Sequence, residues 1–131
     1  MRLIGTWKLI QASAHDNTGK ALPVPYGPIG EGLITLTAHG RMLAVLCDGR
    51  NTIPPGEERE YVSYCGNYTF DGMTLVTHVD SASSPRVQIG SEQTRHVHFE
   101  GNILVLTQST VMNGVAQHRA AYWKKISELS A

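Results

Sequence analysis

An arginine on the apolar face of a predicted strand is the first candidate for chemistry. The strand over residues 91–99 alternates its side chains between two faces, and Arg95 shares one face with Val97 and Phe99. That face is the more apolar of the two, so we expect it to point into the protein. A buried guanidinium is costly unless it is paired. Its partner is either the protein itself, through backbone carbonyls or the Trp7 end of the fold, or a carboxylate, carbonyl or phenolate of a ligand.

A histidine on a neighbouring predicted strand is the candidate for proton transfer. His78 lies within residues 73–80, and imidazole can act as a general acid or base near neutral pH. Both faces of this strand are partly apolar, so alternation leaves its direction open. A hydrogen-bonded structural histidine and a proton carrier at the rim of a cavity are both consistent with the sequence.

Two further histidines have a spacing that occurs at metal sites. His96 and His98 are two residues apart and face the same way on one strand. A zinc site needs at least one more protein ligand, which His118 or His78 could supply, although no spacing demands it. The pair lies on the face opposite Arg95, where we expect solvent. We therefore predict no metal and no cofactor, and the direction of these histidines also stays open.

Aromatic and imidazole side chains complete the candidates for ligand contact. The predicted ligand-binding residues are Trp7, Tyr64, Tyr68, His78, Arg95, His118 and Tyr122. A tyrosine inside a barrel can orient a polar ligand atom, and it can equally well pack in the wall. Tyr122 shares a strand face with His118, whereas Arg119 and Trp123 lie on the other face. His15 follows Trp7 by an even number of residues, and it either lies at a barrel mouth or faces water.

Closely spaced turns indicate the elements that position these residues. Asp71-Gly72 and Asn113-Gly114 are typical of tight hairpins, and similar turns recur along the chain. The predicted strands cover residues 5–15, 31–37, 41–47, 66–70, 73–80, 91–99, 102–109 and 115–125. The spacing predicts an all-β fold, a closed antiparallel up-and-down β-barrel of about eight strands. Trp7 would be a rigid plug at one end of it.

Three segments interrupt this rhythm of hairpins. Residues 22–28 contain three prolines and predict an extended loop, because proline lacks the donor that a central strand needs. Residues 55–65 begin with Pro55-Gly56 and continue with acidic residues, which predicts one short helix. Residues 80–90 are polar and predict a long loop. Long loops in a small barrel tend to carry function.

Composition narrows the class of protein. The chain has 131 residues, and we expect a single domain over residues 1–131. Its 11 basic and 11 acidic residues cancel, which gives no electrostatic reason to expect nucleic acid or a membrane as partner. The first predicted strand starts at once, without an apolar leader, so we expect a cytoplasmic protein. Two cysteines are too few for a disulfide framework.

The placed segments resemble the lipocalin-like domain family of bacteria and fungi. The resemblance rests on the order and spacing of Leu3-Ile4-Gly5-Thr6-Trp7-Lys8-Leu9, Pro25-Tyr26-Gly27-Pro28, Gly32-Leu33-Ile34-Thr35-Leu36-Thr37, Gly40-Arg41-Met42, Tyr64-Cys65-Gly66-Asn67-Tyr68-Thr69-Phe70, Thr77-His78-Val79 and Gly90-Ser91-Glu92-Gln93-Thr94-Arg95-His96. It implies a small antiparallel β-barrel. Most members of the family have no known function, so the resemblance implies a fold more than an activity.

The first and last strands also look like those of fatty-acid-binding proteins. Those proteins hold a carboxylate with an Arg-x-Tyr on the final strand. In this chain Arg119 and Tyr122 are three residues apart, so their side chains face opposite sides of a strand. This spacing departs from the pattern that holds the carboxylate in those proteins, so the resemblance does not by itself imply the same site here.

Three functions are open at the level of sequence. The first is a binding module for a small, largely apolar or aromatic molecule with one polar group, oriented by Arg95, His78 and Tyr68. The alternative is a cofactor-independent enzyme, an isomerase, cyclase or hydratase/dehydratase, in which the catalytic residues are His78 and Arg95. The third is an interaction module whose barrel is filled with side chains. A homodimer is left open.

Overall fold

Eight antiparallel strands close into a barrel in the computed structural model, which describes residues 1–83, 86–112 and 114–128. The strands are β1 (Gly5–His15), β2 (Gly30–Leu36), β3 (Arg41–Asp48), β4 (Tyr61–Phe70), β5 (Thr74–Ala82), β6 (Glu92–Glu100), β7 (Ile103–Met112) and β8 (Val115–Ser127). Each strand pairs with its neighbours in sequence, and β8 returns to pair with β1. The predicted up-and-down barrel is confirmed.

The two ends of the barrel differ in the length of their connections. Tight connections over residues 37–40, 71–73 and 101–102 lie at one end, here called the closed end. The long connections between β1 and β2, β3 and β4, and β5 and β6 lie at the opposite end, here called the mouth. Since loops at one end of a closed barrel can shape access to its interior, the mouth is where a site is expected.

The N-terminal residues seal the closed end. Trp7 is 2% exposed, and its indole N–H donates a 3.0 Å hydrogen bond to the carbonyl of Leu3, which is itself fully buried. The Trp7 ring lies 6.2 Å from the ring of Phe99. Arg2 donates a 2.8 Å bond to the carbonyl of Gly101 in the facing turn. The predicted tryptophan plug is confirmed.

The predicted helix over residues 55–65 is wrong. The chain turns at Pro55-Gly56, where Gly56 has a φ of 85°, and β4 begins at Tyr61, five residues earlier than the strand predicted from residue 66. Tyr61 pairs with Cys47 of β3, and the carbonyl of Glu60 accepts a 2.9 Å bond from the amide of Asp48. Pairing along β3 therefore outweighs the local helix signal, as tertiary contacts commonly do.

Of the described residues, none belongs to a helix long and apolar enough to cross a membrane.

A bulge in β1 reverses the alternation of its side chains. The register with β8 shifts between Leu9, which pairs with Trp123, and Gln11, which pairs with Tyr122. One extra residue sends the following side chains to the opposite face. Ala14 is therefore buried, whereas Gln11 and His15 are exposed. His15 faces water, because the even spacing from Trp7 does not survive the bulge.

A second irregularity brings the backbones of β4 and β5 unusually close. The register shifts between Cys65 and Gly66, and a Cβ built on Gly66 would overlap the carbonyl oxygen of His78. Gly66 is buried, and the atoms it meets belong to backbone, which cannot move aside without disturbing the ladder. Only glycine fits here, so this position fixes how β4 and β5 approach each other.

We expect Gly66→Ala to destabilise the barrel by about 3 kcal/mol, because the added methyl group must push two strands apart. Urea unfolding followed by circular dichroism measures the loss. The matched control is Gly30→Ala, where the new Cβ would meet its nearest atom, Cδ2 of Leu9, at 3.6 Å. That variant is expected to change the stability by less than about 1 kcal/mol. Equal effects of the two substitutions would contradict the close approach at Gly66.

Candidate functional site

A cavity of about 130 Å³ opens at the mouth of the barrel. Its inner wall is apolar and includes Ile34, Met42, Val62, Leu106 and Trp123. An engineered protein cavity of about 150 Å³ with an apolar lining takes up benzene, so a space of this size suits a small apolar group. The barrel is therefore hollow at this end, in contrast to the third function considered from the sequence.

Small side chains on the inner wall create the hollow. Ala44 on β3, Ala12 on β1 and Ala121 on β8 line the cavity, where larger residues would fill it. Ala44 is fully buried, so its methyl group belongs to the barrel interior. The closed end instead holds large rings such as that of Trp7. This change in side-chain size along the barrel axis leaves space inside the barrel toward the mouth.

A row of polar side chains crosses three neighbouring strands at the upper edge of the cavity. Gln108 on β7 pairs directly with Arg119 on β8. On the other side of β7, His96 pairs with Thr107, so Arg95 and Gln108 occupy the next positions across this antiparallel ladder. Arg95, Gln108 and Arg119 all line the cavity. The register therefore brings two guanidinium groups and an amide together at one level of the wall.

Arg95 points inward, as the alternation of β6 predicted. It donates a 2.9 Å bond to the carbonyl of Thr94 and a 3.4 Å bond to Oε1 of Gln93. A guanidinium has five N–H donors, and these two bonds use two of them. The half-buried Arg95 thus binds one backbone carbonyl of its own strand and keeps donors for a further acceptor at the cavity.

The second guanidinium at the cavity was not among the predicted site residues. Arg119 is half-buried and donates bonds of 3.3 Å and 3.1 Å to Oε1 of Gln117. No aspartate or glutamate is among the described residues that line the cavity. Two positive charges without a carboxylate in the same wall make the opening of the cavity favourable for a negatively charged group.

Two tyrosines add phenol groups to this upper part of the cavity. Burial raises the pKa of Tyr64 above its usual value, and the charge of Arg95 opposes that rise. Burial also raises the pKa of Tyr26, with the charge of Arg86 opposing it. Both phenols are therefore neutral at physiological pH. A neutral phenol can donate a hydrogen bond to a ligand oxygen, which adds to the positive character of the wall.

A tryptophan at the inner end of the cavity carries an unsatisfied donor. Trp123 lines the cavity and is 2% exposed, yet its indole Nε1 has no hydrogen-bond partner among the described residues. Leaving a buried donor unpaired costs about 1–3 kcal/mol. The other tryptophan, Trp7, has its N–H bonded to Leu3. The unpaired group therefore belongs to the residue that faces the hollow.

Two predicted ligand-binding residues lie at the closed end instead of at the cavity. Trp7 belongs to the plug. Tyr68 packs against the core there, and its hydroxyl donates a 2.7 Å bond to the carbonyl of Thr37. Neither side chain lines the cavity. Both stabilise the end of the barrel that a ligand does not reach.

His78 lies on the outer face of β5. Leu75, Thr77 and Val79 are buried on the inner face, so the intervening His78 must point outward. Its side chain is 54% exposed, and Nδ1 lies 3.5 Å from Oε2 of Glu92. The structure thus does not bring His78 to the cavity, where the enzyme hypothesis had placed it beside Arg95.

Two further predicted ligand-binding residues, His118 and Tyr122, lie on the outer face of β8. Ring nitrogens of His118 are 2.8 Å from Oγ of Ser109 and 2.6 Å from Oδ1 of Asn17. Tyr122 alternates with Ala121 and Trp123, which both face the cavity, so it points away from it. The side chains of these two residues lie on the outside of the barrel and do not enter the cavity.

The direction of His96 and His98, which the sequence left open, is outward, since both are exposed. Among residues 1–83, 86–112 and 114–128, no three His, Cys, Asp or Glu side chains lie where they could share a metal ion.

Several cavity residues were not predicted from the sequence. One of them, Arg119, could have been predicted from the alternation of β8. Trp123 is the bulkiest apolar residue of β8, so its face should point inward, and Arg119 shares that face. Tyr26 had no such signal. It lies in a proline-rich loop and has a φ of 67°, a backbone conformation that residues other than glycine rarely adopt.

A buried carboxylate ties together the loops that frame the mouth. Asp48, at the end of β3, is 2% exposed, and its Oδ2 accepts a 2.7 Å bond from the guanidinium of Arg50. Its carboxylate fits so closely against Gly27 that a Cβ there would lie 2.8 Å from Oδ2. Arg59 donates bonds of 2.6 Å and 2.7 Å to the carbonyls of Asp48 and Arg50. These contacts hold the first two long loops in one arrangement around the opening.

An antiparallel barrel with a plugged end and an apolar, basic-rimmed cavity at the other has the architecture of barrels that hold small molecules. The family model described as lipocalin-like domain matches residues 4–126, and the chain belongs to this family. The family resemblance seen in the sequence is thereby confirmed. A comparison with curated proteins finds no match.

The Asp48 contacts predict a pH-dependent contribution to stability. Hydrogen bonds from Arg50 hold the pKa of Asp48 below its ordinary value. A depressed pKa stabilises the fold above the unfolded-state value of about 4, and this contribution is lost as the pH falls through the folded-state pKa. Asp48→Asn should therefore lower the melting temperature at pH 7, and its difference from the native protein should shrink in acid.

The control for this prediction is Asp80→Asn. Asp80 also pairs with an arginine, Arg41, but its side chain is 53% exposed, and exposed pairs contribute little. Its effect on the melting temperature should be the smaller at every pH. A difference for Asp48→Asn that stays constant from pH 7 to pH 3 would show that its charge does not hold the loops.

Proposed function

We propose that this protein binds a small, largely apolar molecule through one acidic group at the mouth of the cavity. The observation that carries the proposal is the pair of guanidinium groups, Arg95 and Arg119, at the opening of an apolar hollow. The apolar part of the ligand would enter toward Trp123 and Leu106, where burial of its surface supplies binding energy. The acidic group, a carboxylate or a phenolate, would stay at the level of the arginines.

Charge and geometry favour an anion over other polar groups. Arginine forms paired hydrogen bonds with carboxylates, and such charge-assisted bonds are stronger than neutral ones. Gln93 and Gln108 add neutral amide donors at the same level of the wall. A cationic ligand would find no carboxylate among the described lining residues and would face two like charges.

The enzyme alternative, an isomerase, cyclase or hydratase/dehydratase, stays a prediction. Its assigned proton carrier, His78, lies on the outer face of β5 and pairs with Glu92. Arg95 alone can bind and polarise an oxygen atom, which is also what a binding protein requires of it.

The charge preference can be measured with three probes of equal chain length. We expect octanoate to bind most tightly, 1-octanol less tightly and octylammonium most weakly in calorimetric titrations. Arg95→Gln should reduce the affinity for octanoate about 10- to 100-fold, since it removes charge-assisted hydrogen bonds, and should hardly change that for 1-octanol. Arg41→Gln is the matched control, because Arg41 pairs with Asp80 on the outside. Equal affinities for the three probes would refute the proposal.

Filling the hollow tests whether the ligand lies inside it. Ala121→Leu adds three carbon atoms to the cavity wall, so we expect it to reduce octanoate binding at least 10-fold while the thermal stability is kept or raised. Ala38→Leu, in an exposed turn at the closed end, should leave binding unchanged. Undiminished binding to the Ala121→Leu protein would place the probe somewhere other than the cavity.

A further inference from the structure

We propose that the ligand carries a second polar atom, a neutral hydrogen-bond acceptor that receives the indole N–H of Trp123 at the inner end of the cavity. Suitable acceptors are the oxygen atoms of ketones, ethers and alcohols. This inference rests on the proposed function, and it adds to that function a requirement on the far end of the ligand.

The unpaired indole N–H is the observation that points to this acceptor. Trp123 is 2% exposed and lines the cavity, and its Nε1 has no hydrogen-bond partner among the described residues. Buried donors in folded proteins are almost always paired. Trp7 shows that this fold can satisfy an equally buried indole, through the carbonyl of Leu3. The Nε1 atom has almost no accessible surface in the empty cavity, so an acceptor pairs with this donor when the bound ligand displaces the side chains beside the indole.

The register of the barrel sets how far the two polar ends of the ligand are apart. Trp123 follows Arg119 by four residues on β8, which amounts to about 13 Å along the strand. The strand pairing between β7 and β8 is continuous over this stretch, from Leu104 opposite Trp123 to Gln108 opposite Arg119. Arginine side chains are long, so a ligand shorter than this distance can touch both ends. The ligand is thus extended along the barrel axis, with its two polar groups at opposite ends.

The surroundings of Trp123 decide between a neutral and a charged acceptor. Its neighbours across the two ladders are Leu104 and Leu9, which are 0% and 7% exposed. A second carboxylate in this apolar environment would lose its hydration and gain a single hydrogen bond, which is strongly unfavourable. A neutral oxygen loses far less on entering. The class of ligand is therefore an acid with a neutral oxygen near its other end.

Two isomeric keto acids provide the test. 7-Oxooctanoate places its ketone near the far end of the chain, whereas 4-oxooctanoate has the same composition with the ketone in the middle. We expect the 7-oxo isomer to bind about three- to tenfold more tightly than the 4-oxo isomer, the worth of one neutral hydrogen bond. Octanoate serves as the reference without a ketone.

The indole N–H resonances report the contact directly. The chain has two tryptophans, so a ¹H–¹⁵N spectrum contains two indole signals, which Trp7→Phe and Trp123→Phe assign. Binding of 7-oxooctanoate should move the Trp123 N–H signal downfield and leave that of Trp7 in place. The 4-oxo isomer and octanoate should not cause this downfield shift.

The variants separate the hydrogen bond from packing. Trp123→Phe keeps an aromatic ring, and it should abolish the preference for the 7-oxo isomer, which is read as the ratio of the two affinities and so does not depend on how tightly the variant binds octanoate. Trp7→Phe should keep the preference. If Trp123→Phe does not fold, the inference is still tested by the native protein, through its indole spectra and its ratio of affinities for the two keto acids. Octanoate binding with equal affinities for the two isomers and no indole shift would overturn this inference alone. Failure of all three acids to bind would overturn both it and the proposed function.

Discussion

The pairing of β1 with β8 is the constraint on which the rest of the structure depends. The two strands lie at opposite ends of the sequence, and their ladder runs from Thr6 opposite Ser127 to His15 opposite His118. Closing the ring removes the exposed edges that an open sheet would present and turns one face of every strand into an interior. The same ladder sets the depth of Trp123 and Arg119 relative to β1. Without this pairing the strands would form an open sheet of hairpins, which has no enclosed interior for Arg95 to face.

The hollow results from where large and small side chains fall on the inner face. At the closed end the Trp7 ring and Leu3 fill the space, and the indole N–H is satisfied locally. Toward the mouth the inner positions include Ala44 and Ala121, which leave room for a ligand. Polar groups then appear at the level where Arg95 and Arg119 meet solvent. The order from plug to hollow to basic rim follows the barrel axis, so the fold gives the site both an apolar depth and a polar entrance.

The sequence was sufficient to predict the barrel and the inward direction of Arg95. It was not sufficient where contacts between distant parts of the chain outweigh local sequence preferences. Turn residues and alternation were enough to predict the barrel and the direction of Arg95, because both depend on period-two patterns. The helix over 55–65 was wrong because strand pairing outweighed acidic residues after prolines. His78 was ambiguous because its polar neighbour Thr77 is 1% exposed, so polarity did not mark the outer face. The bulge that turns His15 outward leaves no mark in the residue pattern. Tyr26 entered the cavity from a loop whose backbone angles no pattern reveals.

The unequal connections at the two ends of the barrel separate two kinds of sequence change. The hairpins at the closed end are tight, whereas the connections that follow β1, β3 and β5 around the opening are long, and contacts such as those of Asp48 and Arg59 hold the first two of them. Doubling the length of a flexible loop costs only about 0.6 kcal/mol in closure entropy. The long loops around the opening can therefore be exchanged, lengthened or grafted from other barrels while the strands and the Trp7 plug are unchanged. The chain is therefore suited to protein engineering, because loops can be varied at the mouth while the closed end keeps the barrel stable.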